Sequence, residues 1–458
     1  MNIQEAAYHV QPMPGSARLS IVVPVAIISF FYAAVLDYAL PLYFSALSAA
    51  DQAYPADLWS QLSKYQIAPW IIGPIVGGLL ARRYGERLIW SAALLGQFFI
   101  PLVLAFGPAA PLIPVIALWQ GVTSALMWTA GISLVQMVAP AKRGLANGLM
   151  MSALGVGSVF GPLGGRLLLY RHELSALVWD GNWSVWAARL ASFAPMTTSP
   201  QVAEFQIIFM ILAASTLFCG LLVGLWGQHQ GRFEQEPISD WRRTLHDVGR
   251  LARIHRFWLL ALTICLLGGL PLQASNQFLP YRAEDLGLTN GAQDTGWIWL
   301  QLLRTLMWLP GGVAVGYFAG RRAGGVVAAA LIAAAALAAL AIGLSGNGGQ
   351  LFASVAVFEF ARQFVRWLET GYLAEHMPGD LRATAIGCAL AVAGLGSTLF
   401  GWLAAFAWDP ITQSTPPFLM AALLGGIGCL GLFLFDRWGP LHLRKLPAHE
   451  AVLVVATE

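Results

Sequence analysis

The stretch FEFARQFVRWLETG, residues 358–371, sets Glu359, Arg362, Arg366 and Glu369 inside an otherwise apolar run. On a helix, at about 100° per residue, these four share roughly a third of the circumference with Gln363 and Thr370. Phe360, Phe364, Val365, Trp367, Leu368 and Tyr372 fill the other side. Guanidinium forks match carboxylates and phosphates, and a positioned carboxylate can take up or release a proton. The pattern thus carries the chemistry of anion recognition and proton transfer. It is equally a pattern of self-neutralisation. Glu359–Arg362, Arg366–Glu369 and Arg366–Thr370 stand at i,i+3 and i,i+4, spacings at which helical side chains meet. Both readings stay open at this level.

The surroundings decide what kind of helix this is. Of 458 residues, 57% are hydrophobic and only 11% charged, and the mean hydropathy is +0.65. A soluble domain averages about 45–50% apolar and about 25% charged residues, so this composition belongs to a multi-spanning membrane protein. A net charge of +3 without a basic tail or aromatic-basic patch argues against a nucleic-acid partner. Cys219, Cys265, Cys388 and Cys429 stand singly in apolar segments, with no CxxC or HExxH spacing, so no metal site and no cofactor are expected.

About 20 apolar residues cross a bilayer. Twelve such runs occur, at 20–46, 59–81, 88–107, 112–137, 146–170, 205–228, 257–281, 296–319, 325–345, 350–375, 384–407 and 416–436. The first is too long for a signal-peptide core and is taken as a span. Connections on the N-terminal side hold eighteen Lys and Arg, those on the other side only Arg171, Arg189 and Arg282. The positive-inside rule then predicts both termini in the cytoplasm and a location in the cytoplasmic membrane. The predicted units are a six-helix bundle over 1–228, a cytoplasmic linker over 229–256 and a second bundle with a short tail over 257–458. In the linker, Trp241, Leu245, Val248 and Ala252 define one side of an amphipathic surface helix capped by Ser239 or Asp240. The outer connection near 171–204 carries Trp179, Trp183 and Trp186, residues suited to an interface.

The halves repeat one another. DYALPLY from Asp37 aligns with NQFLPYR from Asn276, GLLARR from Gly78 with GYFAGRR, and RGLANG from Arg143 with RATAIG from Arg382. Gly78 thereby falls on Gly316, Arg83 on Arg321, Gly148 on Gly387 and Trp128 on Trp367, each 238 or 239 residues apart. A shared offset that preserves the direction of crossing predicts two like six-helix halves about an axis along the membrane normal.

Twelve spans in two parallel halves and these motifs resemble the major facilitator superfamily of secondary transporters. The family motif G-x-L-A-D-R-x-G-R-R reads GLLARRYGER here, keeping Gly78, Ala81, Arg83, Gly85 and Arg87. Arg82 and Glu86 exchange the family's signs at an i,i+4 pair that can preserve a local ion pair. In the family, the missing aspartate helps latch the halves on the cytoplasmic side. GLMMSALGVGSVFGPLGG, with Gly148, Gly157, Gly161, Pro162, Gly164 and Gly165, is similar to the fifth-helix motif of antiporters. Close packing of small residues around a proline bend accounts for it equally. The fourth-helix pattern R-x-x-Q-G keeps Gln120 and Gly121 but has Ala117 in place of the arginine used by drug/proton antiporters.

A lipid-facing charge near the midplane costs at least about 2.5 kcal/mol, so the stripe of the tenth span must face the protein or water. Arg304, Glu359, Arg362, Gln363, Arg366, Gln120, Asn276 and Gln277 are the candidate solute contacts. Asp37 and Glu359 are the candidate proton carriers. Gly78, Arg82, Arg83, Gly85, Glu86, Arg87, Gly157, Gly161 and Pro162 are the candidate gating residues. The resemblance implies an all-α fold and a monomer in the lipid bilayer. It also implies alternating-access transport of a small organic solute, with proton coupling and an anionic solute as options. Multidrug/proton efflux is the alternative. No nucleophile–base or metal constellation marks an enzyme, and no GxxxxGK[ST] motif points to a nucleotide as energy source.

Overall fold

Hydrocarbon offers no partner for backbone polar groups, so a chain that crosses it must satisfy them within helices or a closed barrel. The protein takes the helical route. Its computed structural model describes residues 24–33, 35, 40, 43, 58–107, 110–136, 144–157, 200–226, 241–253, 255–264, 266–267, 278–288, 295–318, 324–367, 372, 381–407 and 415–438.

The first half contains α1 (Pro24–Ala33), α2 (Leu58–Tyr84), α3 (Glu86–Ala105), α4 (Ile113–Gln136), α5 (Gly144–Gly157) and α6 (Pro200–Trp226). A short helix α7 (Trp241–Ala252) leads to α8 (His255–Ile264), α9 (Leu279–Asp285), α10 (Thr295–Phe318), α11 (Gly324–Leu344), α12 (Gly348–Trp367), α13 (Arg382–Ala407) and α14 (Thr415–Trp438). The tenth span of the sequence is α12. The expected seventh span, 257–281, is represented by α8 and α9, with residues 268–277 outside the described set.

The distribution of polarity is that of a membrane bundle. Val313, Leu337 and Leu423 point outward, each about two-thirds exposed or more, at 69%, 66% and 67%. Gln97, Gln120, Thr123, Arg304, Glu359 and Gln363 are buried. Large apolar side chains facing out and polar ones facing in suit a lipid solvent. Within the first half α3 packs on α6 and α2 on α4, and within the second α11 packs on α12 and α14 while α10 packs on α12. The amphipathic linker helix is present as α7 and lies against α2 and α8. Among its described side chains Leu251 is buried, and Ala252, expected on the apolar side, is exposed.

Among the described residues the halves meet closely at two seams, α2 to α13 and α5 to α10, and small residues make both, while α4 also touches α13. Their contacts come in pairs that follow the sequence repeat. A Cβ built on Gly78 would lie 2.7 Å from the Ala383 carbonyl oxygen, and one on Gly316 3.1 Å from that of Gly144. Gly387 meets the Pro74 carbonyl, while a Cβ on Gly148 would lie 2.5 Å from the Gly312 carbonyl oxygen. At Gly78, Gly148 and Gly387 contacts this short require glycine, because backbone blocks the space a side chain would need. Pro74 adds a local reason. Lacking an N–H, it frees the Trp70 carbonyl, and Gly394 approaches that oxygen, at 2.9 Å from its built Cβ.

Gly148→Val is therefore expected to lower stability by about 1–3 kcal/mol through overpacking, read as a fall in the melting temperature of purified protein. Gly426→Ala, where nothing lies within 4 Å, is expected to change it by no more than about 0.5 kcal/mol.

Candidate functional site

Arg304 and Trp308 stand four residues apart on α10, and Glu359, Arg362 and Gln363 share a face of α12. Gly311 lets the two helices approach. A Cβ built there would lie 2.6 Å from Gln363 Cγ and 2.8 Å from the Phe360 carbonyl oxygen. The charged side chains then have only one interhelical gap to cross.

Across that gap they converge on the Glu359 carboxylate. Arg304 Nε donates to Oε1 at 2.8 Å, and Trp308 Nε1 donates to Oε2 at 2.8 Å. Arg362 Nη1 donates to Oε1 at 3.3 Å, and its Nε lies 3.2 Å from Oε2. The Arg362 guanidinium also sits 4.7 Å from the centre of the Trp308 ring, within cation–π range. Exposure falls to 0% for Glu359, 1% for Arg362 and 5% for Arg304. Charge-assisted hydrogen bonds of this kind are about twice as strong as neutral ones, and in a low-dielectric surrounding they are what makes burial of the ions tolerable. Two guanidiniums against one carboxylate leave these three residues with a net positive charge. Gln363, fully buried beside them, donates from Nε2 to the Glu359 carbonyl at 3.4 Å, and its Oε1 has no hydrogen-bond partner.

The i,i+3 pairing of Glu359 with Arg362 is thus present, and Arg304 of the neighbouring span joins it. Gln120 and Thr123, which the repeat places opposite Glu359 and Arg362, are buried in α4, where the Thr123 hydroxyl donates to the Trp119 carbonyl at 2.8 Å. The first half is neutral at positions where the second is charged. Asp37, Asn276, Gln277, Glu369, Gly161 and Pro162 lie outside the described residues, as does the side chain of Arg366.

Among the gating candidates, Gly78 lies in the α2–α13 seam and Gly157 is buried at the end of α5. Gly85 adopts φ 89°, a left-handed turn between α2 and α3 that disfavours any side chain. Glu86 opens α3, where a helix N-terminus favours negative charge. It is buried and accepts from the Ser133 hydroxyl at 3.3 Å. Arg82, Arg83 and Arg87 are half-buried around this turn, with the Arg83 guanidinium 5.2 Å from the Tyr84 ring centre.

Sequence reasoning missed one participant. Trp308 is not among the expected solute contacts, yet it donates to Glu359 and its side chain presses on Gly155 of α5 in the other half. The signal was available. Trp70 and Trp308 lie 238 residues apart, and Gly394 and Gly155, which they meet, lie 239 apart.

Glu359→Ala removes an acceptor shared by two buried guanidiniums. It is expected to cost roughly 3–5 kcal/mol, the range for breaking a buried ion pair, and to lower the melting temperature more than Gln350→Ala at an exposed site.

Five described helices are long and apolar enough to cross a membrane. Residues 22–401 match the model of the Major Facilitator Superfamily. The fold is similar to that of FucP, a transporter of that superfamily crystallised in the outward conformation, with TM-score 0.67 and 17% identity over 92% of this chain and 98% of that one. It is also similar to the proton:xylose symporter XylE, with TM-score 0.63 and 16% identity over 92% and 96% of the chains. MFS-type transporter ppzB of Metarhizium majus is 30% identical over 104 residues, 22% of this chain and 23% of that protein. The class C tetracycline resistance protein of Escherichia coli is 30% identical over 124 residues, 26% and 31% of the two chains. This chain thus spans less than a third of the length of either of these sequence relatives. With the family model matched over most of its length and the helices arranged as in such transporters, the chain belongs to the Major Facilitator Superfamily.

Proposed function

We propose that this transporter moves a small organic solute with an anionic group across the cytoplasmic membrane by alternating access, with a proton as the candidate coupling ion. The observation that carries this reading is the buried cluster of Arg304, Arg362 and Glu359 beside a seam between the halves. A solute carboxylate or phosphate would compete with Glu359 for the two guanidiniums. A proton taken up by Glu359 would neutralise it and release both arginines to the solute, and Asp37 is the second candidate carrier. The names of FucP and XylE pair a proton with a neutral sugar, which favours proton coupling. Two buried guanidiniums, whose forks match carboxylates and phosphates, favour an anion as cargo.

In this reading residues 1–228 and 257–458 are the rocking units, 229–256 the cytoplasmic tether, and the monomer suffices. The arginine-rich connections face the cytoplasm, so the small-residue seams form a closed inner gate.

Purified protein in liposomes is expected to accumulate a labelled organic anion when a proton gradient is imposed. Arg362→Gln is expected to reduce the initial rate at least about tenfold, as loss of a buried charged contact does. Transport restricted to neutral sugars, or an undiminished rate in Arg362→Gln, would sink the anion assignment.

The local likeness to the tetracycline resistance protein and the glycine run from Gly148 favour multidrug/proton efflux as a second reading. That reading expects several unrelated lipophilic compounds to be moved against a proton gradient, at rates that survive Arg362→Gln.

A further inference from the structure

The two seams correspond in sequence and backbone but not in chemistry. At the α2–α13 seam, Gly394 meets the carbonyl of Trp70, a backbone atom. The Trp70 ring is 6.3 Å from that of Trp128 in its own half. At the α5–α10 seam, Gly155 meets the side chain of Trp308, most closely at its Cβ, with ring atoms Cγ and Cε3 both 3.0 Å from a Cβ built there. The same indole donates to Glu359 Oε2 at 2.8 Å and lies under Arg362 at 4.7 Å. One ring therefore has the ion cluster on one side and the opposite half of the protein on the other.

We infer that Trp308 is a positioning residue that ties the charge state of the Arg304–Glu359–Arg362 cluster to closure of the α5–α10 seam, while the α2–α13 seam follows passively. Loss of the carboxylate's charge weakens the charge-assisted bonds that hold the indole and the two guanidiniums in place, and a reoriented indole no longer fits the space above Gly155. Gly148 and Gly316, toward the arginine-rich end of the same seam, then separate. The coupling deepens the proposed transport cycle and rests on its alternating-access part, but it needs no particular solute.

The test uses full-length protein without ligand, its four native cysteines replaced by alanine and spin labels at Leu145→Cys and Tyr317→Cys. Both positions are exposed and lie at the seam ends of α5 and α10. Electron–electron dipolar distances report the open fraction of the seam. Glu359→Gln and Trp308→Phe are each expected to raise that fraction at least threefold. Their combination should raise it no further, because both cut the same link. Trp70→Phe should leave it unchanged. Gly155→Val, which disturbs the seat of the indole from the opposite half, should raise it without touching a charge, and serves if Trp308→Phe does not fold.

The inference is overturned if Trp308→Phe or Gly155→Val leaves the distances unchanged. It is also overturned if the effects of Glu359→Gln and Trp308→Phe multiply, or if Trp70→Phe opens the seam equally. A failed anion-flux assay with this coupling intact would remove the solute assignment alone.

Discussion

A carboxylate held between two guanidiniums and an indole, with almost no exposure to solvent, is the interaction on which the second half of this protein is built. Each ion alone would be prohibitive in hydrocarbon. Together they place three side chains from two helices around one pair of oxygens. That fixes the register of α10 against α12. Gly311 makes the arrangement possible, since any side chain there would hold the helices apart. Removing a single partner costs far more than the whole cluster contributes to stability, because the penalty is that of an uncompensated charge. Such an arrangement favours one geometry strongly and changes when one charge does.

The seams between the halves rest on the opposite principle. Apart from Trp308 and Ser152 in the α5–α10 seam, they are made of glycine, alanine and backbone carbonyls, so backbone meets backbone and dispersion supplies the attraction. Contacts between backbones hold while surfaces match and cost little to part, since they carry no long side chain to be desolvated or reordered. A rigid, charge-locked half and a weakly bonded, closely fitting seam are the two ingredients that rigid-body motion about a packed interface requires. Trp308 stands where they touch.

The twofold repeat survives in backbone and has been lost in charge. Gly78 and Gly316, and Gly148 and Gly387, make equivalent contacts in the two seams, while Gly155 and Gly394 meet corresponding tryptophans, one at its side chain and the other at its carbonyl. Gln120 and Thr123, by contrast, stand where the second half has Glu359 and Arg362. Symmetry in the small residues keeps both seams alike in shape. Asymmetry in the ions gives the protein a chemically distinct side.

Composition and the spacing of apolar runs were enough to read the membrane class and the helical halves, because hydrocarbon tolerates so few alternatives. The 238–239 offset marked Gly78, Gly148, Gly316 and Gly387 as equivalent, and the i,i+3 spacing of Glu359 and Arg362 made their pairing legible on one helix. What lay beyond the sequence was everything that depends on a second helix. The reach of Arg304 and Trp308 to Glu359 depends on the approach of α10 to α12 at Gly311, and no local spacing encodes it. The contact of buried Glu86 with Ser133 of α4 depends on a second helix in the same way. Which glycine faces which carbonyl was decided only when the two halves met, since hydrophobic periodicity tells a helix which side to bury but not against whom.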